Sequence, residues 1–197
     1  MIRTGVLFLC VTLSTGLLAR AQKPNATTHG ADVDVAITYV AERAKIASID
    51  CGCFWLQGGS GDFAVTFSHG IGVAANLTGV HSANVGTGVE LDKVMFAMGP
   101  RYTFSPKHRW PAVFGEALFG GVHGFNTIFP SSTGAVGAAS SFAMMFGGGI
   151  DLQVARHLRV RAVEANYVRS TLPNNADNAQ NDLRLAAGIS FHFSGVR

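Results

Sequence analysis

The sequence predicts an all-β fold, an eight-stranded antiparallel up-and-down transmembrane β-barrel. The composition is 48% hydrophobic and only 14% charged, against roughly 25% charged residues in an average soluble domain. No internal stretch reaches the roughly 18 consecutive apolar residues of a transmembrane helix, and a closed barrel is the other structure that can span a membrane. About eight segments also alternate apolar with small or polar residues, as strands do.

The N-terminus has the features of a secretory leader. Arg3 supplies a positive charge, residues 6–18 form an apolar core, and Ala19-Arg20-Ala21 fits a small-residue cleavage site. We therefore predict a signal peptide over residues 1–21, a flexible lead-in over 22–30 and the barrel domain over 31–197. A short N-terminal anchor helix is the alternative, but the apolar core is short for a membrane span.

The predicted strands follow in order along the mature chain. Apolar residues recur at every second position in segments 33–39, 54–67, 71–78, 91–104, 112–122, 142–153, 158–168 and 183–193. Short connections follow the second, fourth and sixth strands, and the first of them is the tight turn Ser68-His69-Gly70. Longer connections are predicted at 42–52, 79–90, 123–140 and 169–181. Transmembrane barrels sort short turns and long loops to opposite ends in this way, and strands of ten or so residues suit a tilted membrane span.

The charged residues indicate which face of the strands points inward. One face carries Val, Ile, Leu, Phe and Met, whereas the other is small and holds charges of both signs. An eight-stranded barrel has an interior just wide enough for side chains, so we predict a lumen of paired ions. The predicted lumen network comprises Asp34, Asp62, Arg101, Glu116, Asp151 and Arg184. Glu116 fits less cleanly because Phe114 and Leu118 share its face. A soluble sandwich would instead turn the apolar face inward.

Aromatic residues near the strand ends are candidates for membrane-interface girdles. These candidates are Tyr39, Phe54, Trp55, Phe67, Tyr102, Phe104, Tyr167 and Phe193. On the last strand, Arg184 and His192 share the lumen face. We expect one of them to pair with an acid such as Glu116 or Asp151.

The seventh strand does not fit a simple alternation. No single register hides Arg159, Arg161, Glu164 and Asn166 together. If Glu164 and Asn166 face inward, the two arginines face lipid. Snorkelling of the arginines at the interface and a β-bulge that resets the alternation are both compatible with the sequence.

The mature chain resembles the eight-stranded OmpA/OmpX-like outer-membrane barrels of Gram-negative bacteria. The resemblance rests on the leader, the loop rhythm and three segments: Gly99-Pro100-Arg101-Tyr102, Val163-Glu-Ala-Asn-Tyr167 and Gly188-Ile-Ser-Phe-His-Phe193. It implies an integral outer-membrane location, with membrane lipids and lipopolysaccharide as partners. It also implies insertion by the outer-membrane assembly machinery, which reads a C-terminal aromatic strand, here through Phe191 and Phe193. The tail Ser194-Gly-Val-Arg197 extends beyond this signal.

Few motifs in the sequence indicate chemistry. Cys51-Gly52-Cys53 lacks the further ligands of a zinc site; a disulfide between Cys51 and Cys53 is strained but possible, and free or metal-binding thiols are the alternatives. Seven His are scattered and predict no metal site. His81-Ser82 is a poor catalytic pair because neighbours on an extended chain point apart. We therefore predict no enzyme and no cofactor, and a formal charge of +3 does not indicate nucleic acid.

The sequence predicts a membrane-embedded scaffold whose lumen is closed by side chains. Its loops would serve envelope integrity or surface interactions. Two other functions stay open: a narrow pore for ions or small solutes, and a soluble periplasmic ligand-binding β-barrel. The sequence names no surface partner or ligand.

Overall fold

The protein is a closed barrel of eight strands in chain order. The computed structural model describes residues 30–45, 52–85, 89–106, 111–131, 134–174 and 178–196. The strands are β1 (Ala31–Lys45), β2 (Cys53–Thr66), β3 (Ile71–Ser82), β4 (Leu91–Phe104), β5 (Ala112–Ser131), β6 (Gly134–Gln153), β7 (Leu158–Ser170) and β8 (Gln180–Val196). Every neighbouring pair is antiparallel, and β8 pairs with β1 to close the barrel. The predicted fold class is confirmed.

Two predicted features fall outside the described residues. These are the signal peptide over 1–21, together with nearly all of the lead-in, and Cys51 of the predicted disulfide. Within the described ranges, no helix is long and apolar enough to cross a membrane.

The short connections lie at one end of the barrel, which we call the turn end. The predicted turn between β2 and β3 is present as a single 3-10 turn, Ser68–Gly70. His69 and Gly70 take φ values of 64° and 80° there, a backbone region in which glycine is free of strain. The opposite end, where β1 joins β2 and β7 joins β8, is the loop end.

Strands β1, β5 and β6 run further toward the loop end than predicted. β1 continues to Lys45, so Glu42 belongs to a strand and not to a loop. The predicted long loop over 123–140 is wrong, because β5 and β6 extend as a hairpin to Ser131 and from Gly134. Pro130 lies beyond Phe125, the last residue of β5 that pairs with β4, so at Pro130 β5 has a partner strand on the β6 side only. A strand with a partner on one side only tolerates proline.

The outer surface of the barrel is an apolar band. Large apolar side chains are exposed at every second position of the strands, among them Ile37 on β1, Phe63 on β2, Phe96 on β4 and Ile189 on β8. Seven of the eight predicted girdle aromatics are exposed on this face: Tyr39, Trp55, Phe67, Tyr102, Phe104, Tyr167 and Phe193. The prediction for Phe54 is wrong, because it lies on the inward face and packs against the cluster around Leu56. A band of this kind is the surface that a transmembrane barrel presents to lipid.

A β-bulge resolves the conflict in the seventh strand. Val163 is opposite Ile150 and Arg161 is opposite Asp151, so Ala162 is an extra residue relative to β6. The register with β8 shifts at the same place. Because two consecutive residues of β7 face outward there, the alternation restarts.

Candidate functional site: the charged lumen

The middle of the lumen holds a layer of buried ion pairs, which we call the ionic layer. Its members are Asp62, Arg101, Glu116, Asp151, Arg161, Glu164 and Arg184, all at most 8% exposed. They come from strands β2, β4, β5, β6, β7 and β8, so the layer crosses the barrel. Arg159 and Asn166 also face inward because of the bulge.

Arg101 joins two acids on different strands. Its Nη1 and Nη2 each donate a 2.8 Å hydrogen bond to one oxygen of Asp62. Its Nε donates to Oε2 of Glu116 at 2.9 Å, and the two residues are cross-strand partners of β4 and β5. This two-oxygen contact with Asp62 is the fork geometry that gives arginine–carboxylate pairs their directionality.

Arg161 is the most connected cation of the layer. Its Nε and Nη2 donate to the two oxygens of Asp151 at 2.9 and 3.2 Å. Its Nη1 donates to Glu164 at 2.8 Å and to Asp62 at 3.3 Å. Arg161 and Arg101 therefore share Asp62, and the three acids around Arg161 are joined into one network.

Arg184 pairs with an acid that the sequence prediction did not choose. Its Nη1 contacts Oε1 of Glu164, and its Nη2 donates to Ser60 at 2.7 Å. Asn166 donates to the same Glu164 oxygen at 2.8 Å. The expected pairing with Glu116 or Asp151 is wrong, because these acids are bound by Arg101 and Arg161.

Phe114 explains why apolar side chains share the face of Glu116. The guanidinium carbons of Arg101 and Arg161 lie over its ring, 4.4 and 4.5 Å from the centroid. A cation over a buried aromatic face is attracted by the ring quadrupole. Phe114 thus packs against the ionic layer, whereas Leu118, two residues beyond Glu116 toward the loop end, belongs to an apolar cluster.

Apolar side chains fill the lumen on the loop-end side of the ionic layer. Along the inward face of β4, Met95 and Ala97 separate Arg101 from the loop end. They belong to a buried cluster with Leu118, Met145 and others. A second cluster contains Val40, Leu56 and Ala186. Met95, Leu118 and Met145 are at most 1% exposed.

A second charged group lies beyond these apolar clusters. Lys93 Nζ contacts Oε1 of Glu42 and lies 3.0 Å from Oδ2 of Asp182. All three side chains are at most 6% exposed. The sequence analysis did not identify this group. A signal existed, because residues two apart on a strand share a face. Lys93 is two residues before inward-facing Met95, and Asp182 is two residues before inward-facing Arg184.

The turn end of the lumen opens into a polar cavity of about 620 Å³. Asp34 lies in its wall, where its Oδ1 is 3.1 Å from Nη1 of Arg159 and 2.9 Å from Nδ1 of His192. Thr66, Thr103 and other polar residues complete the wall. Asp34 and His192 are therefore partners of each other and stand apart from the ionic layer.

The other residues singled out in the sequence are spread over the molecule. Cys53 is exposed at the start of β2, and its disulfide with Cys51 stays a prediction. His81 points outward and contacts Asp92 at 2.8 Å, whereas Ser82 is buried. Phe191 and Phe193 are exposed on the outer face of β8. In the described part of the chain, no group of three or more His, Cys, Asp or Glu could hold a metal ion.

Comparison with known proteins finds similarity in structure. No protein-family model matches the chain, and no curated protein matches it in sequence. The chain is similar to Ail, the attachment invasion locus protein of Yersinia pestis, with a TM-score of 0.58 and 15% identity over 83% of this chain and 99% of Ail. A structure of Ail in complex with the heparin analogue sucrose octasulfate gives a TM-score of 0.56, with the same 15% identity and coverage of 83% and 99%.

Neisserial surface protein A (NspA) is a second similar structure. It gives a TM-score of 0.61 and 12% identity, over 83% of this chain and 99% of NspA. At these identities the similarity concerns the fold alone, and it agrees with the closed barrel. The chain is a membrane-embedded barrel with the fold of the small eight-stranded outer-membrane proteins.

Proposed function

We propose that the protein is an integral outer-membrane scaffold whose lumen is closed by side chains and whose loops contact the surroundings of the cell. The observation that carries this proposal is the layering of the lumen. A network of buried ion pairs crosses the barrel, and apolar clusters fill the space beyond it. Filled interiors are what an eight-stranded barrel allows.

The closed lumen favours a scaffold over the narrow pore. Arg161 and Arg184 are at most 1% exposed, and both are held by carboxylates. An ion crossing the barrel would have to displace these pairs and then pass the apolar cluster of Met95 and Leu118. Purified protein in a planar bilayer should therefore give no discrete conductance steps. Regular steps would support the pore instead.

The exposed apolar band favours a membrane location over a soluble ligand-binding barrel. Ile37 (64%) and Met98 (58%) are among the most exposed large apolar side chains in the described part of the chain, and contiguous apolar surface of this extent is disfavoured in water. Membrane fractionation and heat-modifiable gel migration test the proposal. Recovery from the soluble periplasm, or identical migration of unheated and boiled samples, would contradict it.

We further propose lipopolysaccharide as a partner of a basic patch, defined as Arg43, Lys45 and Arg169. All three are exposed on the outer face near the loop end, on β1 and β7, and only β8 lies between these two strands. Trp55 is the cross-strand partner of Arg43. Basic side chains next to interface aromatics suit the phosphate groups of a lipid headgroup. The structure of Ail with a polyanionic heparin analogue supports a similar chemistry here.

A charge-removal variant tests this partner. We expect R43Q/K45Q/R169Q to bind lipopolysaccharide micelles about 100-fold more weakly, at about 1 kcal/mol for each removed charge. Arg156→Gln is the matched control, because Arg156 is exposed at the turn end. Equal binding by the triple variant and the control would exclude the patch. We also propose that the outer-membrane assembly machinery inserts the protein. Phe191 and Phe193, which are exposed at the end of β8, would be the aromatic residues that it recognises.

A further inference from the structure

Strand β8 continues past Phe193 to Val196, and its pairing with β1 is irregular there. Val33 is opposite Phe193 and Ala31 is opposite Val196, so β8 carries one residue more than β1 at this point. Gly195 has a φ of 69°, a left-handed conformation that glycine adopts without strain. This is a bulge with glycine in the left-handed region, and bulges at barrel rims redirect neighbouring side chains.

The side chain beside this bulge completes a chain of hydrogen bonds. Ser194 Oγ lies 2.9 Å from Nε2 of His192. His192 Nδ1 lies 2.9 Å from Oδ1 of Asp34. Because a carboxylate can only accept, Nδ1 carries the proton that faces Asp34, and Nε2 is left to accept the hydroxyl proton of Ser194. A hydroxyl, a base and an orienting acid in this order are the arrangement of an activated serine nucleophile.

The acid and the base are largely buried, whereas the serine is exposed, as a nucleophile that meets a substrate must be. The side chains of Asp34 and His192 are 8% and 12% exposed, so the acid and the base are held inside the rim. Ser194 is exposed, so a substrate can reach its oxygen. Gly195 N donates to Oδ1 of Asp32 at 3.1 Å, which fixes the backbone next to Ser194.

A cavity for a substrate adjoins the acid and the base, and Ser194 Oγ is next to it through its 2.9 Å contact with His192 Nε2. The turn-end cavity of about 620 Å³ is lined by Asp34, His192 and Gly195. Arg159 also lines it and is the permanently positive side chain among its described lining residues. Its Nη1 is bound to Asp34 Oδ1 at 3.1 Å, so its other guanidinium N–H groups are the donors that remain for the carbonyl oxygen of a substrate, where negative charge develops during attack. Because most of its lining residues are polar, the cavity suits small, water-soluble esters better than lipid acyl chains.

We propose that Asp34, His192 and Ser194 form a catalytic triad that hydrolyses small carboxylic esters at the turn end of the barrel. Ser194 Oγ attacks the carbonyl carbon and its proton passes to Nε2 of His192. The tetrahedral intermediate collapses, the ester C–O bond breaks, and the departing alkoxide takes that proton and leaves as an alcohol. Water, deprotonated by His192, then attacks the acyl-Ser194 carbonyl carbon; the bond to Ser194 Oγ breaks, His192 returns the proton to Oγ, and the carboxylic acid leaves. This activity is independent of the scaffold function.

A fluorophosphonate probe tests the proposal on the folded full-length barrel in detergent micelles. We expect the probe to label Ser194, identified by mass spectrometry of the labelled peptide, and the protein to hydrolyse p-nitrophenyl acetate. Ser194→Ala should abolish the labelling, and His192→Asn should slow it about 100-fold, the contribution typical of a general base. Heat-modifiable migration checks that each variant is folded.

Ser140 provides a matched control within the same chain. His123 Nδ1 lies 2.7 Å from Ser140 Oγ, but no carboxylate contacts His123 among the described residues. Ser140→Ala should leave the labelling unchanged. The proposal is overturned if the folded wild-type barrel is not labelled at Ser194, or if Ser194 and Ser140 are labelled equally. The labelling of Ser194 in the wild-type protein can be measured even if none of the variants folds.

Discussion

Arg161 donates two hydrogen bonds to the two oxygens of Asp151, at 2.9 and 3.2 Å, across the β6–β7 pair. This contact exists because Ala162 is an extra residue in β7 and turns Arg161 into the lumen. A backbone irregularity thus supplies the most connected cation of the ionic layer. Since Arg161 also binds Asp62 and Glu164, its side chain neutralises acids from three strands.

Removal of the Arg161 charge should destabilise the barrel strongly. Arg161→Met would leave buried carboxylates without their cation, and a buried pair broken on one side costs about 3–5 kcal/mol. Urea unfolding in lipid vesicles, followed by tryptophan fluorescence, measures the loss. Arg156→Met is the control, because an exposed turn residue should change the free energy of unfolding by less than about 0.5 kcal/mol. Equal stability of both variants would contradict the network.

Deletion of Ala162 tests the bulge itself. Without the extra residue, β7 would return to strict alternation, and Arg159 and Arg161 would face lipid while Glu164 kept its place. Each arginine on the lipid face costs up to about 2–4 kcal/mol. We therefore expect the deletion variant to lose heat-modifiable migration. Deletion of Asn84, in the connection between β3 and β4, should leave it intact, and a folded Ala162 deletion would show that the bulge is dispensable.

Strand periodicity determines which lumen residues could be assigned to the inward face from the sequence alone. Asp62 and Arg101 face inward because β2 and β4 keep a period of two, and this period is visible in the sequence. Arg161 and Glu164 could not be assigned together, since they are three residues apart and only a bulge gives both the same face. The bulge is stabilised by contacts of Arg161 with other strands, and a local pattern does not contain those contacts.

The missed loop-end charges have a different cause. Glu42 was assigned to a loop because the predicted first strand ended too early. Which ions pair could not be predicted either: Arg101 on β4 binds Asp62 on β2, with β3 between them. Such a contact depends on the curvature of the closed barrel. By contrast, Arg101 and Glu116 are direct cross-strand partners, which the correct register would have indicated.

Close packing around Phe114 predicts that Gly149, on the inward face of β6, cannot be replaced by alanine without a loss of stability. A Cβ at Gly149 would lie 2.7 Å from the Val163 carbonyl oxygen and 2.8 Å from Cζ of Phe114. Gly149→Ala must therefore displace the ring that lies below Arg101 and Arg161, and overpacking of this kind costs about 1–3 kcal/mol. Urea unfolding measures the change.

Gly61 is the matched control for this substitution. It lies on the outward face of β2, where a Cβ would meet nothing within 4 Å. Gly61→Ala should leave stability unchanged or raise it slightly, because alanine restricts the unfolded chain. If Gly149→Ala were as stable as Gly61→Ala, Phe114 would not be held tightly in the ionic layer.

The buried charged group of Glu42, Lys93 and Asp182 near the loop end predicts that neutral substitutions of the two acids restore stability lost by removal of the lysine. Lys93 is the cation between Glu42 and Asp182, so Lys93→Met alone should cost about 3–5 kcal/mol by leaving two buried carboxylates unpaired. Adding Glu42→Gln and Asp182→Asn removes those charges, and uncharged replacements of buried ion pairs are often neutral. The triple variant should therefore be more stable than Lys93→Met in the same urea assay. A triple variant less stable than Lys93→Met would mean that the carboxylates act through contacts other than Lys93.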